Sequence, residues 1–398
     1  MARVEHGVED SKYYTPQEAV DLILNAWKPY VKSEMLPTTD AIDRVLARDY
    51  HARFTNPLGQ TSSVDGIAVR FDDFKHGMPD TKTWKINKDF CLADTGDDVP
   101  DEFDTVIKLE NLDFEDNHVE HFNGSSPFKD NKDAKFSIFR APERRGEHLN
   151  SQGSNFKEGE LLVASGKKVT PERMSCLIAG GVTQVEVYAL PQVAVIPTGN
   201  ELVPSGVTPK RGETIESNSA LISAFIKQHK GQPRVYPLVR DITKNLEDML
   251  KEAAASNDLV ILNAGTSKGS EDYAPVALEK LGDIKFHWVN HGPGRPVMGG
   301  MIDNTPILVI PGPPISCDTV LHWFLHRVLS YFSPASNTLT LCVNARLTKE
   351  IKGSSSMVFW QRVKLDRMES SEGDFWATPL SRRTPEALGQ ADGIVIVP

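Results

Sequence analysis

Cysteine is scarce and scattered: Cys91, Cys176, Cys317 and Cys342 are the only four in 398 residues. None forms a CxxC pair, so neither a zinc ribbon nor a disulfide framework is indicated, and buried bystander thiols are expected. No apolar run approaches the ~20 residues of a spanning helix, and the opening MARVEHGVEDSKYY has no apolar signal-peptide core. A cytoplasmic protein with no membrane contact is expected. Basic charge is in deficit, with 44 Lys and Arg against 54 Asp and Glu and a net charge of −10. That balance excludes bulk affinity for nucleic acid or acidic lipid, whereas a small anionic ligand needs only a local basic patch. Common catalytic signatures are missing as well: there is no Walker A loop, Rossmann fingerprint, GxSxG elbow or HExxH helix. His322 and His326 stand four apart in HWFLHRVL, where apolar neighbours favour a packed helix over a zinc site. His118 and His121 lie in an acidic loop with no third ligand.

What is present is ordinary globular composition, 39% hydrophobic and 25% charged, over a length that calls for two to four domains. TPQEAVDLILNAWKPYV (15–31) begins with Thr15 as N-cap, Pro16 at the first helical position and Glu18 closing a capping box. Its apolar residues recur at helical spacing. A second short helix is expected near Ala41–Leu46. From Gly59 to Arg145 short alternating runs such as TVIKLENL and KFSIFRAP, broken by Gly, Pro, Asn and Asp, predict a small β module. A helix is expected at Pro171–Ala179.

Residues 192–331 read β-α-β-α-β-α-β-β-α, from QVAVIP through DLVILN and PILVIP to ISCDTVLHWFLHRVLSYF. This alternation predicts a parallel sheet covered on both faces, with ligands at the carboxyl ends of its strands. Residues 334–398 return to short strands, TLTLCVNARL, SMVFWQRVKL, DFWATPL and GIVIVP.

Five loops follow strand-like runs in this region: IPTGNEL (196–202), VRDI (239–242), NAGTSKGSEDY (263–273), HGPGRP (291–296) and IPGPPIS (310–316). Glycine-rich turns between strand and helix bring backbone N–H groups to an anion, so several together imply one large, phosphate-bearing ligand. In IPTGNEL, Glu201 either holds a divalent metal or is a solvated turn residue. NAGTSKGSEDY, with Thr266, Ser267, Lys268 and Asp272, is either a phosphate nest with a carboxylate or a plain loop that Asp272 caps. Arg295, fixed between two prolines, suits bidentate phosphate or carboxylate recognition.

In order along the chain, these motifs resemble the molybdenum insertases, a family that includes the C-terminal domain of gephyrin. SSVDGIAV (62–69), DTGDDVPDEFDTVIKLEN (94–111), TGNEL, IESNSALI (215–222), AGTSKGSEDY, GPGRP, IPGPPIS and QADGIVIVP (390–398) carry the resemblance. It implies an α/β multidomain fold: a doubly wound parallel-sheet molybdopterin-binding domain with small β-rich domains in an elongated, usually dimeric protomer. The division it implies is domain I at 13–55 and 146–190, domain II inserted at 56–145, domain III at 191–333, and a β-barrel-like domain IV at 334–398. The implied reaction inserts molybdate, or tungstate, into adenylylated molybdopterin and releases AMP, assisted by Mg2+ or another divalent cation.

Carried over by motif, Asp65, Glu201, Asp241 and Asp272 are catalytic, and the last three hold the cation. Thr95, Thr198, Gly199, Thr266, Ser267, Lys268, Gly294, Arg295, Pro311, Gly312 and Ser316 hold the cofactor. Implied partners are a second copy of the chain, a molybdopterin adenylyltransferase and apo-molybdoenzymes. The chain departs from the family where K-P-G-K-P becomes Gly292–Pro296, where an acidic residue becomes Asn155, where L-P-G-N-P gains Pro313, and where a domain IV glycine–serine segment becomes SRRTPEAL (381–388). These departures leave a second reading open, a catalytically weak pterin-binding carrier, sensor or scaffold.

Overall fold

Strands buried on both faces need apolar residues at every position, and QVAVIP and DLVILN meet that requirement. In this computed structural model they lie inside a six-stranded sheet. The structure describes residues 13–29, 31–114, 128, 135–239, 243–263, 273–332, 342–353, 357–368, 375–382 and 384–397. They divide into two units, 1–34 with 188–398, and 35–187.

In the first unit the sheet order is Gln232–Val235, Gln192–Pro197, Leu259–Asn263, Thr305–Ile310, Met298–Ile302, Asp283–His287. The first four strands are parallel. Met298–Ile302 runs antiparallel to both neighbours, so the sheet is mixed where the sequence predicts a parallel one. The strand Met298–Ile302 has no counterpart among the strands expected from the sequence. Its glycines are required: a Cβ at Gly299 would lie 2.2 Å from the Phe286 ring, and one at Gly300 2.6 Å from Asp283 O.

Alternate residues serve two cores. Val193, Val195, Leu259, Ile261, Leu308 and Ile310 pack with helices Pro16–Ala26 and Asn218–Gln228 and with the helical run from Pro314 to Ser330. Ala194, Ile196, Val260, Leu262, Ile307 and Val309 face helices Thr243–Ser256 and Ala274–Leu281. Helix Pro16–Ala26 has the expected capping box, with Thr15 and Glu18 bonded reciprocally. The run from Pro314 contains a π-helical turn at Leu321–Leu325. Arg362, on the long strand Val358–Arg367, donates to Asp318 and Thr319 from a site 4% exposed, joining the C-terminal five-stranded sheet to this helix. A short helix, Glu386–Gln390, lies in the segment read as strands alone.

In the 35–187 unit, Gly66–Val69 pairs antiparallel with Cys91–Ala93 and Thr105–Lys108, and Leu112–Phe114 pairs with Phe136–Ile138. The helix Pro171–Ala179 is capped by Thr170. The helix expected near Ala41–Leu46 is absent. A 3₁₀ turn occupies Thr38–Asp40, Asp43 sits at φ 64°, and Val45 and Leu46 form bridges to Lys168 and Val187. One left-handed residue interrupts the helical spacing, and the apolar residues reach the core from extended backbone. No helix among the described residues is long and apolar enough to cross a membrane.

Candidate functional site

Three adjacent parallel strands end together, and two buried asparagines tie those ends. Thr198, 3% exposed, donates from both N and Oγ1 to Asn263 O at 3.1 Å. Asn263 Nδ2 donates to Pro311 O at 3.2 Å. Asn218, the first residue of its helix, donates from Nδ2 to Asn263 Oδ1 at 2.8 Å and to Gly312 O at 2.7 Å. The ends of strands Gln192–Pro197, Leu259–Asn263 and Thr305–Ile310 thereby share one hydrogen-bonded floor. Asn218 Oδ1 is buried without a partner among the described residues. Such an orphan costs roughly 1–3 kcal/mol until something donates to it. The sequence reading quotes both asparagines inside its motifs but assigns neither a role.

Beyond this floor the backbone turns through Gly199 at φ 149°, where a Cβ would meet the Glu201 carboxylate oxygens at 2.8 and 3.0 Å. The absent side chain lets an exposed carboxylate fold back over the strand end. Thr198, Gly199, Pro311 and Gly312 are thus brought together, with Glu201 beside them.

Gly294 and Arg295 lie on a hairpin closed by Trp288 N to Val297 O at 3.1 Å and Val289 N to Arg295 O at 2.9 Å. Its tip rests on the helix starting at Pro314: at Gly294, φ 106°, a Cβ would lie 3.2 Å from Ser316 O. Arg295 places its guanidinium 4.3 Å from the Tyr13 ring centroid, and its Nε is buried without a partner among the described residues. At Gly292 a Cβ would stand 2.7 Å from the Phe359 ring, whose face carries Arg382 at 4.5 Å. Where the family resemblance places a lysine, an aromatic ring fills the space. His291 is fully buried; its Nδ1 lies 3.1 Å from Pro293 O, and burial pushes its pKa down to about 4.

The other unit holds a second polar contact. Asp65 Oδ1 accepts from Thr95 N at 2.7 Å and Thr95 Oγ1 at 2.9 Å. These bonds, the backbone one first, hold the Asp65 carboxyl below its ordinary range. Asn155 donates from Nδ2 to Asn56 Oδ1 at 2.7 Å on the surface of this unit.

Asp241, Thr266, Ser267, Lys268 and Asp272 lie outside the described residues, as do His118 and His121. Among the described residues no group of three or more His, Cys, Asp and Glu is arranged to hold a metal ion, and Glu201 is the one described member of the expected cation set. His322 packs edge-on to Phe225 and lies 3.6 Å from Asp318; burial, with His229 and His326 nearby, lowers its pKa to about 4.

A covered α/β sheet with a polar floor at its strand ends, in a chain that also holds a β-rich unit, is the architecture of a multidomain ligand-binding protein. Residues 14–181 match the MoeA N-terminal region (domain I and II), and residues 194–331 match the "Probable molybdopterin binding domain". The molybdopterin molybdenumtransferase of Haemophilus influenzae is 25% identical over 297 residues, covering 72% of this chain and 69% of its own. That of Synechococcus elongatus is 24% identical over 368 residues, covering 87% and 85%. The crystal structure of a molybdopterin biosynthesis MoeA protein from Pyrococcus horikoshii superposes with a TM-score of 0.76 at 25% identity, covering 97% of this chain and 95% of that one. The chain belongs to the MoeA family.

Proposed function

We propose that this chain acts in molybdenum cofactor biosynthesis as a molybdenum insertase, taking adenylylated molybdopterin and molybdate and releasing AMP. The observation that carries the reading is the floor joining Thr198, Asn263, Asn218 and Gly312, which ties three strand ends together. Family membership and the molybdenumtransferases among its relatives support it. In this reading Thr198, Gly199, Pro311, Gly312, Gly294, Arg295 and Ser316 hold the pterin and nucleotide, and the motifs add Thr95, Thr266, Ser267 and Lys268 to that set. Arg295 supplies the charged donors that a phosphate needs. Asp65, whose bonds to Thr95 favour its ionised form, is the remaining carboxylate carried over by motif. A divalent cation such as Mg2+ would be held by Glu201, Asp241 and Asp272, and when bound it would offset the charge of the pyrophosphate link.

The second reading, a pterin-binding carrier, sensor or scaffold of low turnover, is favoured by one observation: Phe359 occupies the space a side chain at position 292 would need. One assay separates the two. AMP release from adenylylated molybdopterin is followed with and without molybdate and magnesium. Oxyanion-dependent release is the expected result; stoichiometric pterin binding without AMP release would leave the carrier reading in its place.

A further inference from the structure

The reading of the 291–296 hairpin as an anion site leaves open what orients its arginine, and the inference here rests on that reading. Residues just before the first helix run beside the hairpin. Tyr14 N donates to Trp288 O at 3.3 Å, Asn290 N donates to Tyr14 O at 2.7 Å, and Tyr14 bridges Val289 in parallel. The Tyr14 ring meets Phe286 edge-on at 6.4 Å, and Thr15 then enters its capping box. Tyr13 is therefore anchored through its neighbour, not through its own side chain, which is 44% exposed.

That ring lies against the Arg295 guanidinium at 4.3 Å, and Arg295 has no carboxylate partner among the described residues. Stacking uses the flat face of a guanidinium and leaves the donors on its rim unspent. A carboxylate partner would instead consume the donors an oxyanion ligand needs. The Nε is buried and unpaired, and the side chain as a whole is only part-buried, so its outer donors are the ones a ligand can reach.

We infer that Tyr13 is a positioning residue: it fixes the plane of Arg295 so that the rim donors meet a phosphate group of the ligand. The segment before the first helix thereby becomes part of the ligand site without touching the ligand. Tyr13→Leu removes the π face, whereas Tyr13→Phe keeps it.

The test is AMP affinity of the full chain by titration calorimetry. Tyr13→Leu is expected to weaken binding about fivefold, the size of a part-exposed cation–π contact, while Tyr13→Phe stays within about twofold. In the Arg295→Ala background, Tyr13→Leu should cost nothing further. If Arg295→Ala weakens AMP binding and Tyr13→Leu does not, the positioning role is overturned and the anion site stands. Equal losses in the Phe and Leu variants overturn it as well, by pointing to the hydroxyl or to the fold. Unchanged affinity in Arg295→Ala, or no AMP binding by the wild-type chain, removes the anion-site reading and this inference together. Should Tyr13→Leu fail to fold, the Arg295 Nε–H resonance of the wild-type chain decides: an upfield ring-current shift is expected, and an unshifted signal overturns the stack.

Discussion

Two polar clusters in this molecule set threonine hydroxyl and amide donors against oxygen acceptors, carbonyl in one and carboxylate in the other, under opposite conditions. The floor of Thr198, Asn218 and Asn263 is buried, each residue at most 7% exposed, whereas Asp65 and Thr95 meet in the open. A buried donor that loses its acceptor is stranded, while an exposed one turns to water. The floor should therefore couple stability to function, and the Asp65 corner should carry function alone.

The sharpest way to break the comparison is Asn263→Leu, which strands an Asn218 donor and the Pro311 carbonyl. It should cost about 3–4 kcal/mol in urea unfolding and abolish AMP release together. Retained stability would mean that the floor is not the rigid element described. Next in size is acid. The pKa of His291, about 4, lies below the ordinary histidine value of 6.5, so the unfolded chain binds the extra proton first. Its contribution, ~3 kcal/mol at most, is complete above pH ~6.5 and is lost as pH falls towards 4. Urea unfolding between pH 7 and 4 should show this loss, and His291→Gln should remove its own share while the part due to His322, also lowered to about 4, persists.

On the exposed side, Asp65→Ala should leave the urea midpoint close to that of the wild-type chain while AMP release falls at least about tenfold. A parallel loss of stability would erase the contrast. Finer still, Thr95→Val leaves the backbone donor and removes the hydroxyl, so the Asp65 titration followed by carboxyl NMR should move part of the way back to the ordinary range. The smallest structural effect is expected of Asn155→Asp, because the Asn56 amide can turn to donate to the new carboxylate. Its consequence should show as a higher molybdate-dependent rate, and an unchanged or lower rate would count against placing this position near the oxyanion.

The legible parts of the fold were those where one local rule acts alone. Continuous apolar runs ending in glycine and proline marked the central strands, and Thr15 with Glu18 marked a helix start that the structure reproduces bond for bond. What escaped depended on neighbours distant in sequence. The need for Gly299 and Gly300 is hidden because the Phe286 ring and Asp283 O that require them lie on another strand. Asn218 and Asn263 are unremarkable polar residues until folding buries them together, and Arg295 gives no hint that its stacking partner is Tyr13. Periodicity reports which face is buried, but not which polar atoms will meet there.

The Phe359 ring beside Gly292 also bears on how this sequence can change. Any side chain introduced at 292 begins with its first carbon 2.7 Å from that ring, itself capped by Arg382. A lysine restored there would have to be preceded by a smaller residue at 359, and losing the ring would release Arg382 from its stack. The three positions are therefore coupled: a side chain at 292 requires the ring at 359 to give way, and that ring also carries Arg382.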